Sequence, residues 1–193
     1  KRYYENRNKI RTKDGWQWIT VPVKENKNAY PNINEVEINY GSAWLRKILK
    51  TIEFSYKKSP YFAEYYDSLR NIFEKQHKML YELNEELILW CFEKIGIQRE
   101  VYYSRNYDIK GKASCLIVDL CNVCGTNNYI SGPLGKDYLD SKIIGENNIN
   151  LLYHKCKILE YEQIFKPFEP GMSIIDLIFN CGPASLEFLK NSI

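Results

Sequence analysis

The chain of 193 residues is 45% hydrophobic, 26% charged and 15% aromatic, which is typical of a folded globular domain and not of a disordered segment. Its 27 lysines and arginines exceed its 24 aspartates and glutamates by only three, so charge alone gives no reason to expect a nucleic-acid partner. No stretch approaches the roughly 18–20 apolar residues of a membrane span, and the N-terminus does not resemble a signal peptide. We therefore expect a cytoplasmic protein with one domain, residues 1–193, and no membrane span.

Residues 1–15 are polar and basic, with cations interleaved with Tyr3 and Tyr4. They form either a solvated, partly frayed terminus or an arm that brings cations and aromatic faces to an anionic ligand. From Trp16 to Val23 the side chains alternate and many are β-branched, which predicts a strand with Pro22 at its end or on a sheet edge. Residues 36–38 predict a second, short strand.

The period of the apolar residues then becomes helical. Stripes that start near Trp44, Phe62 and Leu80 predict three consecutive helices within residues 42–95, and Gly96 sits where a left-handed cap would end the third. Arg46, Lys47 and Lys50 lie outside the first stripe and are therefore expected on a solvated face.

After residue 96, strand and helix patterns alternate. The predicted strands are residues 100–104, 128–131 and 150–154, and the predicted helices are residues 114–123 and 138–144. A final helix begins with Ser173 to Asp176, where the spacing predicts a capping box. These elements predict an α/β fold: a layered parallel or mixed sheet with flanking helices, and a three-helix insertion at about residues 42–95 as a helical subdomain.

Six cysteines without the density of a disulfide scaffold predict free, mostly buried thiols in a reducing compartment. Cys121 and Cys124 have the spacing of half a zinc site, and His154 with Cys156 could supply the other half. Cys121, however, continues an apolar helix stripe and Cys124 stands at the end of that helix. We therefore expect no metal.

The segment from Tyr129 to Asp140 carries a strand into a loop with two glycines and a lysine. Backbone amides at Gly132 and Gly135, a helix start and the charge of Lys136 are the ingredients of an anion site, although the spacing is not that of a Walker loop. A plain strand-to-helix turn explains the segment equally well.

Histidine is scarce, and His154, at the end of a predicted strand, is the better candidate for a general base; Asp176 is the second candidate catalytic residue. No nucleophile elbow supports a hydrolase. Tyr129, Tyr138 and Tyr161 lie beside polar motifs and are the tyrosines expected to contact a ligand ring.

Five blocks of residues, in this order, are similar to one known family. The blocks are Lys1-Arg-x-Tyr-x-Asn-Arg-Asn-Lys-Ile10; Trp18-Ile-Thr-Val-Pro-Val; Lys50-Thr-Ile-Glu with Tyr56-Lys-Lys-Ser-Pro-Tyr-Phe62; Tyr129-Ile-Ser-Gly with Gly135-Lys-x-Tyr-Leu-Asp140; and Phe168-Glu-Pro-Gly-Met-Ser-Ile-Ile-Asp-Leu-Ile-Phe-Asn180. On these blocks the chain resembles the WbqC-like proteins over essentially its whole length. Family members usually carry a further strand, loop and strand ahead of the first block, so we expect one wall of the site to be supplied by residues absent from this sequence.

The resemblance implies a role in the biosynthesis of surface polysaccharides of the O-antigen type, with transfer of an acyl or aminoacyl group to a nucleotide-linked amino sugar. It implies no settled catalytic residue and no identified cofactor. The ligand would be a nucleotide sugar or another anionic small molecule. The residues expected to bind it are Lys1, Arg2, Asn6, Arg7, Arg105, Tyr129, Ser131, Gly132, Gly135, Lys136, Tyr138 and Tyr161.

The alternative is a non-catalytic binding or scaffold protein of the polysaccharide machinery. In that case Tyr61, Tyr65 and Tyr66 would form an exposed patch for a partner.

Overall fold

The structure is a computed structural model that describes residues 4–25 and 31–192. The contacts within it divide the described chain into two compact units. The first unit contains residues 4–25, 31–98 and 158–191, and the second contains residues 99–157 with Ser192. Each unit is described by itself below.

The first unit begins with a β-hairpin. Strands β1 (Arg7–Thr12) and β2 (Gly15–Thr20) pair antiparallel, with Arg7 opposite Thr20 and Thr12 opposite Gly15. Strand β2 confirms the strand predicted from Trp16, and it ends before Pro22. The expectation that the whole basic segment is a frayed terminus or an arm is wrong for β1. Ile10 is fully buried in the core, and this burial holds a strand in place despite its cations.

The three consecutive helices are confirmed as α1 (Trp44–Tyr56), α2 (Phe62–Glu74) and α3 (Leu80–Ile95). Helix α3 ends at Gly96, whose φ of 81° is the left-handed conformation that glycine adopts readily. The predicted strand at residues 36–38 is wrong, because only isolated bridges form there, from Glu37 to Met79 and from Ile38 to Val23.

The core of the first unit lies between the hairpin and these helices, and its fully buried side chains include Ile52 and Leu69. Tyr65 is buried, and Tyr61 and Tyr66 pack against this core. The exposed tyrosine patch expected of a scaffold protein is therefore wrong: the aromatic rings on α2 follow the apolar stripe of the helix into the core.

The second unit is a small α/β unit. It contains α4 (Ser114–Val123), β3 (Asn128–Ser131), a 3₁₀ turn (Pro133–Asp137), α5 (Ser141–Glu146) and β4 (Asn150–Tyr153). Strands β3 and β4 pair in parallel, as predicted, and the helix between them crosses over. Val118, Cys121, Ile144 and Ile149 form the core.

Two predictions for the second unit are wrong. Residues 100–104 form no strand: residues 100–103 have no regular structure, and Ser104 begins a short 3₁₀ turn, Ser104–Asn106. The helix predicted over residues 138–144 begins only at Ser141, because the Asp140 carboxylate accepts hydrogen bonds from the amides of Lys142 and Ile143 and so sets the helix start there.

The chain returns to the first unit through residues 158–173 and ends with α6 (Ile174–Cys181), a 3₁₀ turn (Gly182–Ala184) and α7 (Ser185–Asn191). Helix α6 is buried over Ile175–Asn180. The predicted capping box at its start is absent, since the Ser173 amide donates to the Lys9 carbonyl oxygen of β1 and the Asp176 carboxylate has other donors.

The mixed α/β fold with flanking helices is thus confirmed, with its strands in two small sheets, one antiparallel and one parallel. In the part of the chain that the structure describes, no helix is both long and apolar enough to cross a membrane. The single domain with a helical subdomain stays a prediction.

Gly135 and Gly145 offer a matched test of packing in the second unit. A Cβ atom at Gly135 would lie 1.9 Å from Ser131 Oγ and 3.0 Å from Ser131 Cβ, whereas a Cβ atom at Gly145, inside α5, would have no heavy atom within 4 Å. We expect Gly135→Ala to lower the free energy of unfolding by about 1–3 kcal/mol through overpacking. Gly145→Ala should raise it by about 0.5–1 kcal/mol because alanine favours the helix. Urea unfolding followed by circular dichroism measures both values, and equal effects would contradict this account.

Candidate functional site

The residues predicted to form a site divide between the two units. Lys1 and Arg2 lie outside the described residues. The first unit holds Asn6, Arg7, Tyr161 and Asp176. The second unit holds Arg105, Tyr129, Ser131, Gly132, Gly135, Lys136, Tyr138 and His154. A hollow shared by both sets stays a prediction.

Asn6 and Arg7 take part in the hairpin. The Asn6 Nδ2 donates to the Val21 carbonyl oxygen at 3.0 Å, and the Arg7 guanidinium lies 4.2 Å from the centroid of the Trp18 ring. Both residues also line a cavity of about 530 Å³ whose walls are mainly apolar side chains of α1, α2 and α3. Their contacts hold the strands in register and place a cation at the rim of that cavity.

The side chains of Asp176 and Tyr161 are in contact. The Tyr161 hydroxyl donates to Asp176 Oδ2 at 2.6 Å, and Gln163 Nε2 donates to the same oxygen at 2.8 Å. Asp176 is 0% exposed. Burial raises the pKa of its carboxyl, while the two hydrogen bonds and the positive charge of Arg11 act in the opposite direction. Burial and the nearby Asp176 charge also raise the pKa of Tyr161.

Arg11 is the largest fully buried side chain of the first unit, at 1% exposed. Its guanidinium donates to the carbonyl oxygens of Thr12 and Gly15 in the hairpin, and to that of Pro167 at 2.8 Å. Its backbone amide donates to the Tyr56 hydroxyl at the end of α1. Arg11 therefore ties the hairpin both to α1 and to the segment that precedes α6.

A cleft of about 950 Å³ opens in the first unit, where the hairpin turn, α1 and residues 164–165 meet. We call it the basic cleft, because six cations and only one carboxylate, that of Asp14, line it. The cations are Lys13, Arg46, Lys47, Lys50, Lys57 and Lys58. Phe54 and Phe165 add aromatic surface.

The cations of α1 share one side of the helix because of their spacing. Arg46 and Lys50 are four residues apart, and Lys57 and Lys58 follow directly after the helix. Within the described part of the chain these side chains, and Lys47, form no ion pair. Like charges at this spacing destabilise a helix by about 0.2–0.5 kcal/mol per pair. An anion in the cleft would relieve that repulsion.

Sequence reasoning missed this cleft because it placed the α1 cations on a solvated face. The sequence does contain a pattern that could have predicted it: cations at positions 46, 47 and 50 are followed by the adjacent pair Lys57 and Lys58. Both groups line the cleft. Lys50, Lys57 and Lys58 also stand in one of the five family-like blocks, whose cations were not chosen as site residues.

In the second unit, the polar residues of the glycine loop gather at the carboxyl ends of β3 and β4. The His154 amide donates to the Ser131 carbonyl oxygen at 2.8 Å. The Lys136 Nζ lies 5.2 Å from the centroid of the Tyr153 ring. Ser131 is buried, and its hydroxyl donates to the Gly132 carbonyl oxygen. Ser131, Gly132, Lys136 and His154 thus lie at neighbouring strand ends, and their binding and catalytic roles stay predictions.

Three amides of this loop already have partners within it. The Gly135 amide donates to the Gly132 carbonyl oxygen, and those of Tyr138 and Leu139 donate to the Gly135 carbonyl oxygen. The Asp140 carboxylate occupies the start of α5. The local geometry is that of a strand-to-helix turn closed by its own carboxylate, and Lys136 contributes the positive charge of this loop.

Three predicted residues of the second unit remain: Arg105 and Tyr138 are exposed, and Tyr129 is half-buried. The Arg105 guanidinium lies 4.4 Å from the centroid of the Tyr103 ring, and Tyr138 is 66% exposed. Tyr129 is half-buried and packs against the core of Val118 and Cys121.

The six cysteines are free. Cys121 is buried, but Cys115, Cys124 and Cys156 are exposed, so the expectation of mostly buried thiols is wrong, since these three lie outside the apolar faces. Among the described residues, no group of three or more His, Cys, Asp or Glu side chains could hold a metal ion.

Fold and site together define a mixed α/β protein with a cation-lined cleft. Its sequence matches the model of the WbqC-like protein family over residues 1–188, and the chain belongs to that family, which is associated with polysaccharide biosynthesis. A similar protein of Mycobacterium tuberculosis, named "Uncharacterized protein Rv1507c", is 33% identical over 192 residues, covering 98% of this chain and 83% of the relative. No solved structure gives a significant match.

The raised pKa of Asp176 predicts a pH dependence of stability. A carboxyl whose pKa is higher in the folded than in the unfolded chain stabilises the fold in its protonated form. This stabilisation is complete below the pKa in the unfolded chain, about 4, and is lost as the pH rises through the pKa in the folded chain. Asp176→Asn removes this titration and keeps an oxygen that can accept from Tyr161. We therefore expect the free energy of unfolding of the variant, minus that of the wild type, to become more positive as the pH rises from about 4 to about 8.

Urea unfolding across this pH range measures that difference. Any other titrating group contributes equally to both proteins, so a difference that stays constant with pH would contradict the raised pKa.

Proposed function

We propose that the protein acts in the cytoplasm in surface-polysaccharide biosynthesis, and that its basic cleft binds a nucleotide-linked amino sugar to which an acyl or aminoacyl group is transferred. The observation that carries this proposal is the grouping of six cations around one cavity of about 950 Å³. The family's association with polysaccharide biosynthesis supports the class of substrate.

The charge of the cleft suits a diphosphate. Lysine and arginine are the side chains that bind phosphate oxygens, by charge-assisted hydrogen bonds that are about twice as strong as neutral ones. The chain as a whole carries a net charge of only +3, so the cations of the cleft are a local concentration and not a reflection of overall composition. The rings of Phe54 and Phe165 provide apolar surface on which a nucleobase could rest.

The proposed reaction is acyl transfer to a sugar amine. The amine nitrogen attacks the carbonyl carbon of an activated thioester or ester, the new C–N bond forms, and the thiol or alcohol leaves with the electrons of the broken bond. A base takes the proton from the nitrogen and returns it to the leaving group. The catalytic roles predicted for His154 and Asp176 stay predictions, and ligand binding in the basic cleft does not depend on them.

Two charge-neutralising variants test the binding site. Lys50→Gln and Lys57→Gln each remove a cation from the cleft, and Lys142→Gln, on α5 of the second unit, removes an exposed lysine elsewhere. We expect each cleft variant to weaken the binding of UDP by about tenfold, the effect of losing one hydrogen bond to a charged group. The Lys142 variant should bind like the wild type. Isothermal titration calorimetry measures the three affinities.

Salt gives an independent check, because screening weakens contacts between exposed charges. The affinity of the wild type for UDP should fall with added sodium chloride more steeply than that of Lys50→Gln. If UDP binds the wild type and both cleft variants equally, or does not bind at all, the proposed function is wrong.

A further inference from the structure

A second cavity adjoins the basic cleft. It has a volume of about 540 Å³ and lies between β2 and the start of α1. Gln17, Ala43, Lys47 and Thr51 line both cavities, so the two are direct neighbours. We call the second one the strand-edge cavity. Both volumes fall within the range of about 300–1,000 Å³ that is usual for small-molecule sites.

The free edge of β2 borders this cavity. The Val21 amide donates to the Asn6 carbonyl oxygen, so these two residues form a hydrogen-bonded pair of the antiparallel ladder. Such pairs alternate along a hairpin, and the pairs of Trp18 with Lys9 and of Thr20 with Arg7 are therefore the non-hydrogen-bonded ones. The amide and carbonyl groups of Trp18 and Thr20 consequently point away from β1.

Trp18 and Thr20 both line the strand-edge cavity. The Trp18 ring is engaged elsewhere, since it stacks with the cations of Arg7 and Lys9. What these two residues offer a ligand is therefore their backbone: N–H donors and C=O acceptors along a strand edge that pairs with no other described strand, which is the arrangement that pairs with an amide.

The other walls suit a sugar. Ser42 and Thr51 bring hydroxyl groups, and the Thr51 hydroxyl donates to the Lys47 carbonyl oxygen, which leaves its lone pairs free to accept. Ile48 and Trp44 supply apolar surface. A hydroxylated ring with one amide substituent matches this combination.

We propose that the strand-edge cavity holds the sugar of the nucleotide-linked ligand, with the acylamino group that the transfer forms hydrogen-bonded to the free edge of β2 and the phosphates in the basic cleft. This inference rests on the proposed function, because it uses the neighbouring cleft as the phosphate site. It adds a ligand class: the N-acylated sugar that acyl transfer produces, held as the product with its new amide at the strand edge.

Three probes separate this inference from the proposed function. UDP tests the basic cleft alone, UDP-glucose adds a sugar, and UDP-N-acetylglucosamine adds the acylamino group. We expect UDP-N-acetylglucosamine to bind about three- to tenfold more tightly than UDP-glucose, the effect of one or two net hydrogen bonds. If all three bind with equal affinity, the inference is overturned and the proposed phosphate site stands. If none binds, both fail.

A matched pair of variants at Thr20 tests the strand edge. Thr20→Pro removes the backbone donor at a position where no ladder hydrogen bond is lost, and Thr20→Val removes only the side-chain hydroxyl. We expect Thr20→Pro to lose the preference for UDP-N-acetylglucosamine over UDP-glucose while its affinity for UDP is unchanged. Thr20→Val should keep the preference. A preference retained by Thr20→Pro would overturn the inference.

Hydrogen exchange in the wild type gives a test that does not depend on how the proline variant folds. UDP-N-acetylglucosamine should slow exchange at the Trp18 and Thr20 amides by at least about threefold beyond the effect of UDP, as measured by NMR on labelled protein. Equal exchange rates with the two ligands would contradict the proposed contact.

Discussion

The buried guanidinium of Arg11 holds together two walls of the basic cleft. It donates to carbonyl oxygens of the hairpin and to that of Pro167, so the hairpin turn and the segment carrying Phe165 are fixed to the same group. A buried charge is costly unless it is hydrogen-bonded and compensated. The carbonyl oxygens meet the first condition, and Arg11 also acts on Asp176 by lowering the pKa of its carboxyl against the larger effect of burial. Cleft geometry is therefore coupled to the packing of α6, on which Asp176 lies.

The Asp176 carboxylate and the cations of the basic cleft have different surroundings in the first unit. Asp176 is fully buried and receives hydrogen bonds from Tyr161 and Gln163, which suits a residue that organises the interior. Lys50 and Lys57 instead stay at the surface and form no ion pair with any residue that the structure describes, which leaves their charge available to a ligand. The neighbouring strand-edge cavity then offers uncharged donors and acceptors beside the charged cleft.

The sequence was sufficient for elements that bury one face. The 3.6-residue stripes of α1 to α3 predicted those helices, and the alternation after Trp16 predicted β2, because each pattern reflects which side chains leave water. Strand β1 was missed since its cations outnumber its apolar side chains, and one of those cations, Arg11, is buried beside Ile10. The strand expected at residues 100–104 had the right composition but found no partner, and pairing is a property of the whole fold.

The site was harder to predict, because it depends on distant segments that meet. The Tyr161 hydroxyl contacts Asp176, and the Ser131 and His154 backbones are hydrogen-bonded at two strand ends, but the roles chosen for these residues from motifs stay predictions. The basic cleft was missed, since Arg46 and Lys50 are typical of a solvated helix face until the hairpin turn brings Lys13 beside them.

A crystal structure of the protein with UDP bound is the measurement that tests the central claim most directly. The account predicts the two phosphates in the basic cleft, within roughly 2.7–3.2 Å of nitrogen atoms from at least two of its six cations. Phosphates bound instead against the Ser131 to Lys136 loop, with the cleft empty, would contradict it.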